Sequence, residues 1–208
     1  MGGCRALKKE EVERVAQSFA GRYATRDKAL FVLGVKSGFR ISELLSLTVG
    51  DVYRAGRVVD VVHVAAKKMK GKTDSRSVRL NDDAREALAP WIAELLSAGY
   101  NAPGVALFRS RRGINKPISR RQALGILQGA FAANGLEGVG TARRLGTHSM
   151  RKTFATRVYE KMLERVARGQ AIDPLRETSK RLGHRSVEVT ERYLDWDPYH
   201  LDDVILEI

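Results

Sequence analysis

Leu182-Gly183-His184-Arg185-Ser186-Val187-Glu188-Val189-Thr190-Glu191-Arg192-Tyr193 sets a tyrosine nine residues after a histidine, close to the end of a 208-residue chain. Gly183 suits the left-handed stop that ends a helix, and Ser186 suits the cap that opens the next. This grammar leaves His184 on a short connector and predicts that Tyr193 rides two turns along the following helix. Upstream, Gly38-Phe39-Arg40-Ile41-Ser42-Glu43-Leu44-Leu45-Ser46-Leu47 sets Arg40 where one helix has stopped and another begins. A third block, Thr147-His148-Ser149-Met150-Arg151-Lys152-Thr153, spaces His148 and Arg151 so that both face one way on a helix. With Thr147 as N-cap they lie in the first turn, where unpaired backbone N–H groups also favour an anion.

These residue types converge on phosphodiester chemistry. An oxygen nucleophile attacking a phosphodiester builds negative charge on the nonbridging oxygens, and preorganised donors aimed at that charge supply ~3 to 4 kcal/mol each. Arginine suits the task because its planar fork grips two oxygens and stays protonated. A tyrosine nucleophile must lose a proton with a reference pKa of ~10, so positive charge or a base has to assist it. Taken singly, each of these residues reads as an ordinary surface or structural side chain; the three spaced blocks together carry the signal.

Charge points the same way. The formal net charge is +13, and Asp195 to Ile208 holds five acids and no Lys or Arg, so the rest of the chain carries +18. An excess of Lys and Arg attracts polyanions, and nucleic acid is the leading partner. A hydrophobic content of 43% is ample for a packed core. No stretch reaches the ~18 to 20 apolar residues of a membrane span, and the N-terminus lacks a basic segment followed by an apolar run. The only cysteine is Cys4, which allows neither a disulfide framework nor a thiolate metal site. Neither a Gly-rich phosphate loop nor a His, Cys or carboxylate cluster with ligand spacing is found, so no cofactor or metal is expected. The expected setting is cytoplasmic and nucleoid-associated, with no membrane.

Along the chain, helical spacing covers Leu7 to Ala20, a helix capped by Thr25 runs to Gly38, and a short one spans Ile41 to Leu47. Val58 to Ala66 and Arg76 to Leu80 read as a β-hairpin with a basic tip, joined by a strand near Asp51 to Tyr53. Asp82 to Gly99 returns to helical spacing, with Ala87, Leu88, Trp91, Ile92 and Leu95 as the buried stripe and Pro90 as a kink or break. Phe108 to Arg121 carries Arg109, Arg111, Arg112, Lys116, Arg120 and Arg121 without an acid, which describes an exposed basic loop that contacts DNA. Ser119 with Gln122 forms a capping box for a helix to Gly135. Long helices follow from Thr147 and from Asp173-Pro174 to Gly183.

The three blocks, in this order, resemble the tyrosine recombinase (phage integrase) family over roughly Leu7 to Trp196. The resemblance implies an α+β fold, a mainly helical catalytic domain with a small antiparallel sheet or hairpin. Residues 1–208 then form a single catalytic domain without an evident core-binding or arm-binding domain before it, either a fragment or a minimal member. It further implies a site-specific recombinase or integrase in which Tyr193 forms a 3'-phosphotyrosyl link while Arg40 and Arg151 hold the scissile phosphate. His148 gives acid/base support, His184 donates a hydrogen bond to the phosphate, and Glu43 orients its neighbours. The family's hairpin lysine, which protonates the departing 5' oxygen, matches Lys72, although Lys67, Lys68 and Lys70 share the same tip. Lys152 replaces a histidine often found directly after the second arginine. Such a covalent link keeps the phosphodiester energy, so the reaction is expected to need neither metal nor ATP.

The implied partner is double-stranded DNA, with a homo-oligomeric tetramer on DNA and a monomer when alone. The acidic, apolar tail 195–208 is expected to dock in trans, to fold back in cis, or simply to complete the core as a terminal helix. The segment between Tyr159 and Leu182 is longer than the family pattern, with the extra residues near Arg165 to Asp173. A type IB topoisomerase-like or telomere-resolving enzyme would share the phosphate-binding residues. A DNA-binding regulator would keep the cluster without using it.

Overall fold

The structure, a computed structural model, describes residues 4–64, 76–136, 144–191 and 193–194. In chain order it contains α1 (Lys9–Ser18), α2 (Ala24–Ser37), α3 (Ile41–Leu45), α4 (Val49–Val52), β1 (Tyr53–Arg54), β2 (Arg57–Val58), β3 (Val61–Val64) and β4 (Arg76–Arg79). There follow α5 (Asp82–Ser97), α6 (Arg120–Ala133), α7 (Thr147–Ala167), α8 (Pro174–Leu182) and α9 (Val187–Glu191). This is the mainly helical α+β class expected. Two compact units divide the chain, residues 1–154 and 155–208, with the boundary inside α7.

In the first unit α2 is the central element, buried continuously from Ala29 to Val35. A helix apolar on every side has to be covered on every side, and burying each large side chain contributes roughly 1.5–3 kcal/mol. The Phe31 ring meets Phe19 from the end of α1 and Phe131 from α6. Gly34 permits a close approach, since a Cβ there would come within 2.5 Å of Met150 Sδ at the start of α7. The N-terminal segment is tied to the same place, with the Leu7 amide donating to Thr153 Oγ1 at 2.9 Å.

Several elements depart from the expected bounds for identifiable reasons. Thr25 lies inside α2 and does not cap it; Gly21, at φ +82°, makes the turn that starts the helix two residues earlier than such a cap implies, at Ala24. Asp51 belongs to α4, where its carboxylate accepts from the Thr48 amide and hydroxyl at 2.8 and 2.9 Å. The strand expected nearby is β1, which pairs only with β2 in its own two-stranded sheet. The hairpin proper is β3 against β4, antiparallel, with Val62 opposite Val78 and Val64 opposite Arg76. Its tip, including Lys67, Lys68, Lys70 and Lys72, lies outside the described residues, as does the tail 195–208.

Pro90 neither breaks nor ends α5. It sits on the solvent face, where the carbonyl it deprives of a partner can meet water. The buried stripe is as expected, and Trp91 Nε1 anchors it to the Leu107 carbonyl at 2.8 Å. The basic segment is more ordered than an open loop. Phe108 and Ile118 are buried, the Ile118 amide donates to the Phe108 carbonyl at 2.8 Å, and Arg109 bridges Pro117, leaving 111–117 exposed. Ser119 and Gln122 make the capping box of α6.

In the second unit α7 continues to Ala167. The stretch near Arg165 to Asp173, where extra residues were expected, holds the last turn of α7 and a reversal at Gly169, φ +82°. Asp173 caps α8 by accepting from the Arg176 amide at 2.9 Å, and Gly183 ends it in the left-handed conformation at φ +61°.

Candidate active site

Arg40 owes its place to the turn between α2 and α3. Gly38, at φ +62°, reverses the chain, and Arg40 then occupies the cap position before α3. Glu43 holds that position from one turn on: its Oε2 accepts from the Arg40 amide at 2.8 Å and its Oε1 from Arg40 Nη1 at 3.1 Å. Glu43 is almost fully buried, whereas the Arg40 side chain is 38% exposed, so the pair presents one guanidinium to solvent from a fixed base. The expected orienting role for Glu43 has this geometric counterpart.

Arg151 enters the same region from α7. It is 1% exposed, the largest fully buried side chain in the described structure, and its Nη1 donates to the carbonyl of Gly38. A guanidinium held so deep is unusual unless it is paired or serves an anion. His148 stands one turn before it. α7 begins at Thr147 itself, so Thr147 is its first residue and not its cap, and Ser149 Oγ accepts instead from the Gly146 amide at 3.1 Å. His148 lies in the opening turn, and Arg151, the fifth residue of the helix, follows one turn on, on the same face.

The electrostatics confirm that these groups share one neighbourhood. Desolvation by the packed chain, followed by Arg151, Arg40 and Lys152, lowers the His148 pKa below its ordinary value. The imidazole is therefore neutral and able to accept a proton near pH 7, while its surface stays open to solvent. Arg76, which sequence reasoning did not single out, belongs to this group too. It is 9% exposed, and burial, with Arg151 and Arg40 adding to it, pushes its pKa down to about 10, still protonated at neutral pH.

The second unit brings His184 and Tyr193 together. Their rings meet edge to face, with centroids 5.4 Å apart and planes at 64°. α9 ends at Glu191, so Tyr193 stands in the turn just beyond it and not within the helix, its amide donating to the Thr190 carbonyl at 2.9 Å. Fully buried Thr190 also fixes the histidine, its Oγ1 lying 2.8 Å from His184 Nδ1. The His184 amide donates to the Ser179 carbonyl at 3.0 Å, closing the end of α8. Thr190 is a second residue that the sequence reading missed.

Of the basic segment, Arg111, Arg112, Lys116, Arg120 and Arg121 are exposed. Arg109 is partly buried, with its Cζ 3.7 Å from the Tyr100 ring centroid.

The model of the phage integrase family matches residues 5–200. The chain belongs to the phage integrase family. Among its relatives, it is 31% identical over 188 residues to the probable integrase/recombinase YoeC of Bacillus subtilis, covering 90% of this chain and 87% of that protein. It is also 31% identical over 176 residues to the tyrosine recombinase XerC of Actinobacillus pleuropneumoniae, covering 85% of this chain. The chain spans about half the length of this relative, 49%. The fold is shared with XerA recombinase, at a TM-score of 0.73 and 20% identity over 100% of this chain and 66% of that one. XerH site-specific recombinase bound to palindromic difH substrate, in a post-cleavage complex, gives a TM-score of 0.69 at 23% identity, over 96% and 51% of the two chains. This integrase-family chain thus has the architecture of a tyrosine recombinase catalytic domain.

Proposed function

We propose that the chain is a DNA strand transferase that cuts and rejoins DNA at specific sites through Tyr193. The observation that carries this reading is the contact between Tyr193 and His184, whose orientation is set by Thr190. Family membership and relatives named integrase and recombinase support it.

In this reading Tyr193 Oη attacks the scissile phosphorus, and its proton passes to neutral His148. Arg40 and Arg151 neutralise the charge that grows on the nonbridging oxygens, and His184 donates a further hydrogen bond. The 5' oxygen leaves with a proton from Lys72, and the 3' phosphate remains on the tyrosine. A 5' hydroxyl of the partner strand then reverses each step. The phosphotyrosyl bond retains the energy of the bond that was cut, so neither ATP nor a metal ion has to drive rejoining.

The partner is double-stranded DNA, gripped in part by Arg111, Arg112, Lys116, Arg120 and Arg121, and the active assembly is a tetramer formed on DNA from monomers. The tail 195–208 docks in trans within it. The protein is therefore DNA-associated; among the described residues no helix is long and apolar enough to cross a membrane.

Incubation with nicked suicide duplexes cut from the DNA flanking the chain's own gene, followed by a denaturing gel, tests the proposal. A covalent adduct absent from Tyr193→Phe is expected. Binding without any adduct would replace it with a DNA-binding regulator, and relaxation of supercoiled DNA without site preference would favour a topoisomerase.

A further inference from the structure

Arg76 opens β4 on its inward face, in register with buried Val78. An arginine there demands compensation, because burying a guanidinium costs several kcal/mol unless it is paired and hydrogen-bonded. Among the described residues, its side-chain partners Ser37, Phe39 and Glu43 lie on or beside the turn that carries Arg40. Nη2 donates to the Ser37 carbonyl at 3.1 Å, the guanidinium carbon lies 5.4 Å from the Phe39 ring centroid, and Nη1 lies 3.7 Å from Glu43 Oε2. Glu43 is thus shared by two arginines, one on each carboxylate oxygen. Arg40 is the exposed member and Arg76 the buried one.

We infer that Arg76 is a positioning residue for Arg40: by taking a share of the Glu43 charge and bracing the Ser37–Phe39 turn, it leaves the Arg40 guanidinium available to an incoming phosphate. Without Arg76, the buried carboxylate has Arg40 as its remaining partner of the two, and a guanidinium held that way competes poorly for a second anion. The consequence for strand cleavage rests on the function proposed above; the competition between Glu43 and phosphate for Arg40 does not.

The test follows the Arg40 Nε–Hε resonance of the full ¹⁵N-labelled chain as inorganic phosphate is titrated. Arg76→Met should need about fivefold more phosphate to shift the signal than wild type, the scale of one partly exposed ion pair. Adding Glu43→Gln, which removes the charge but keeps an oxygen for the Arg40 amide, should bring the titration back to within about twofold. Arg76→Lys, milder toward folding, should fall between, and Glu43→Gln should correct it likewise. Wild-type titration in Arg76→Met, or no recovery in either double variant, would overturn the inference. On a suicide DNA substrate at saturation, Arg76→Met should slow adduct formation about tenfold while DNA affinity stays within about twofold. If wild type forms no adduct, the recombinase proposal fails, and the phosphate titration still decides the role of Arg76.

Discussion

Arg151 donates from Nη1 to the carbonyl of Gly38, two residues before Arg40, so the buried arginine of α7 holds the turn that presents the exposed one. The two candidate phosphate ligands are therefore mechanically linked through backbone. A disturbance of that turn is transmitted to both.

Gly38 is where this link is most vulnerable. It sits at φ +62°, and a Cβ there would overlap the Phe154 ring. Gly38→Ala should lower unfolding free energy by roughly 1–3 kcal/mol in urea melts, from left-handed strain plus overpacking. Adding Phe154→Leu should return part of that loss; no return would mean that strain alone is responsible.

Arg151→Lys tests the ligand itself with the charge retained. A lysine reproduces neither the fork nor its reach to the Gly38 carbonyl. Cleavage is expected to fall by at least about a hundredfold, the cost of one oxyanion donor, while nonspecific DNA affinity changes little because many phosphate contacts share it. Single-turnover adduct rates beside filter binding at one salt concentration separate the two effects.

His148 makes both stability and chemistry depend on pH. Its folded pKa is lowered by desolvation and then by Arg151, Arg40 and Lys152, so below pH 6.5 the unfolded chain binds more protons than the folded one. The stability from this residue is present above pH 6.5 and is lost as pH falls through the folded pKa. Denaturant midpoints measured across that range should decline more steeply in wild type than in His148→Gln. The acid limb of the cleavage profile attributable to His148 should likewise fall below pH 6.5.

Thr190→Val keeps the shape of a buried residue and removes the oxygen facing His184 Nδ1. Loss of one such hydrogen bond is worth about 1 kcal/mol, so cleavage should slow roughly fivefold with DNA affinity unchanged. An unaltered rate would show that His184 is held without Thr190.

Replacing Arg111, Arg112 and Lys116 together by Gln should reduce the slope of log affinity against log salt by about 2 to 3, near 0.9 for each phosphate contact removed. An unchanged slope would place this exposed basic segment away from DNA.

The sequence made the central helix, the α5 stripe and the glycine stops legible, because apolar periodicity and left-handed ends are local signals. Arg40, Glu43, His148, Arg151, His184 and Tyr193 stood out as candidates for the same reason, each lying in a short block whose spacing reflects one turn or cap. Arg76 was missed although period-two alternation set it beside Val78 on the inward face; its partners Ser37 and Glu43 lie more than thirty positions upstream. Thr190 looked like one more polar helix residue, since its contact with His184 depends on how α8 and α9 pack. The boundaries at Thr25 and Thr147 shifted because a turn glycine or a neighbouring hydroxyl could serve the helix end as well as the expected cap.

The most direct measurement is peptide mapping by mass spectrometry of the adduct trapped on an end-labelled suicide duplex. The DNA-linked peptide is expected to contain Tyr193, joined to the 3' phosphate of the cut strand. A link through any other residue, or to the 5' side of the break, would contradict it.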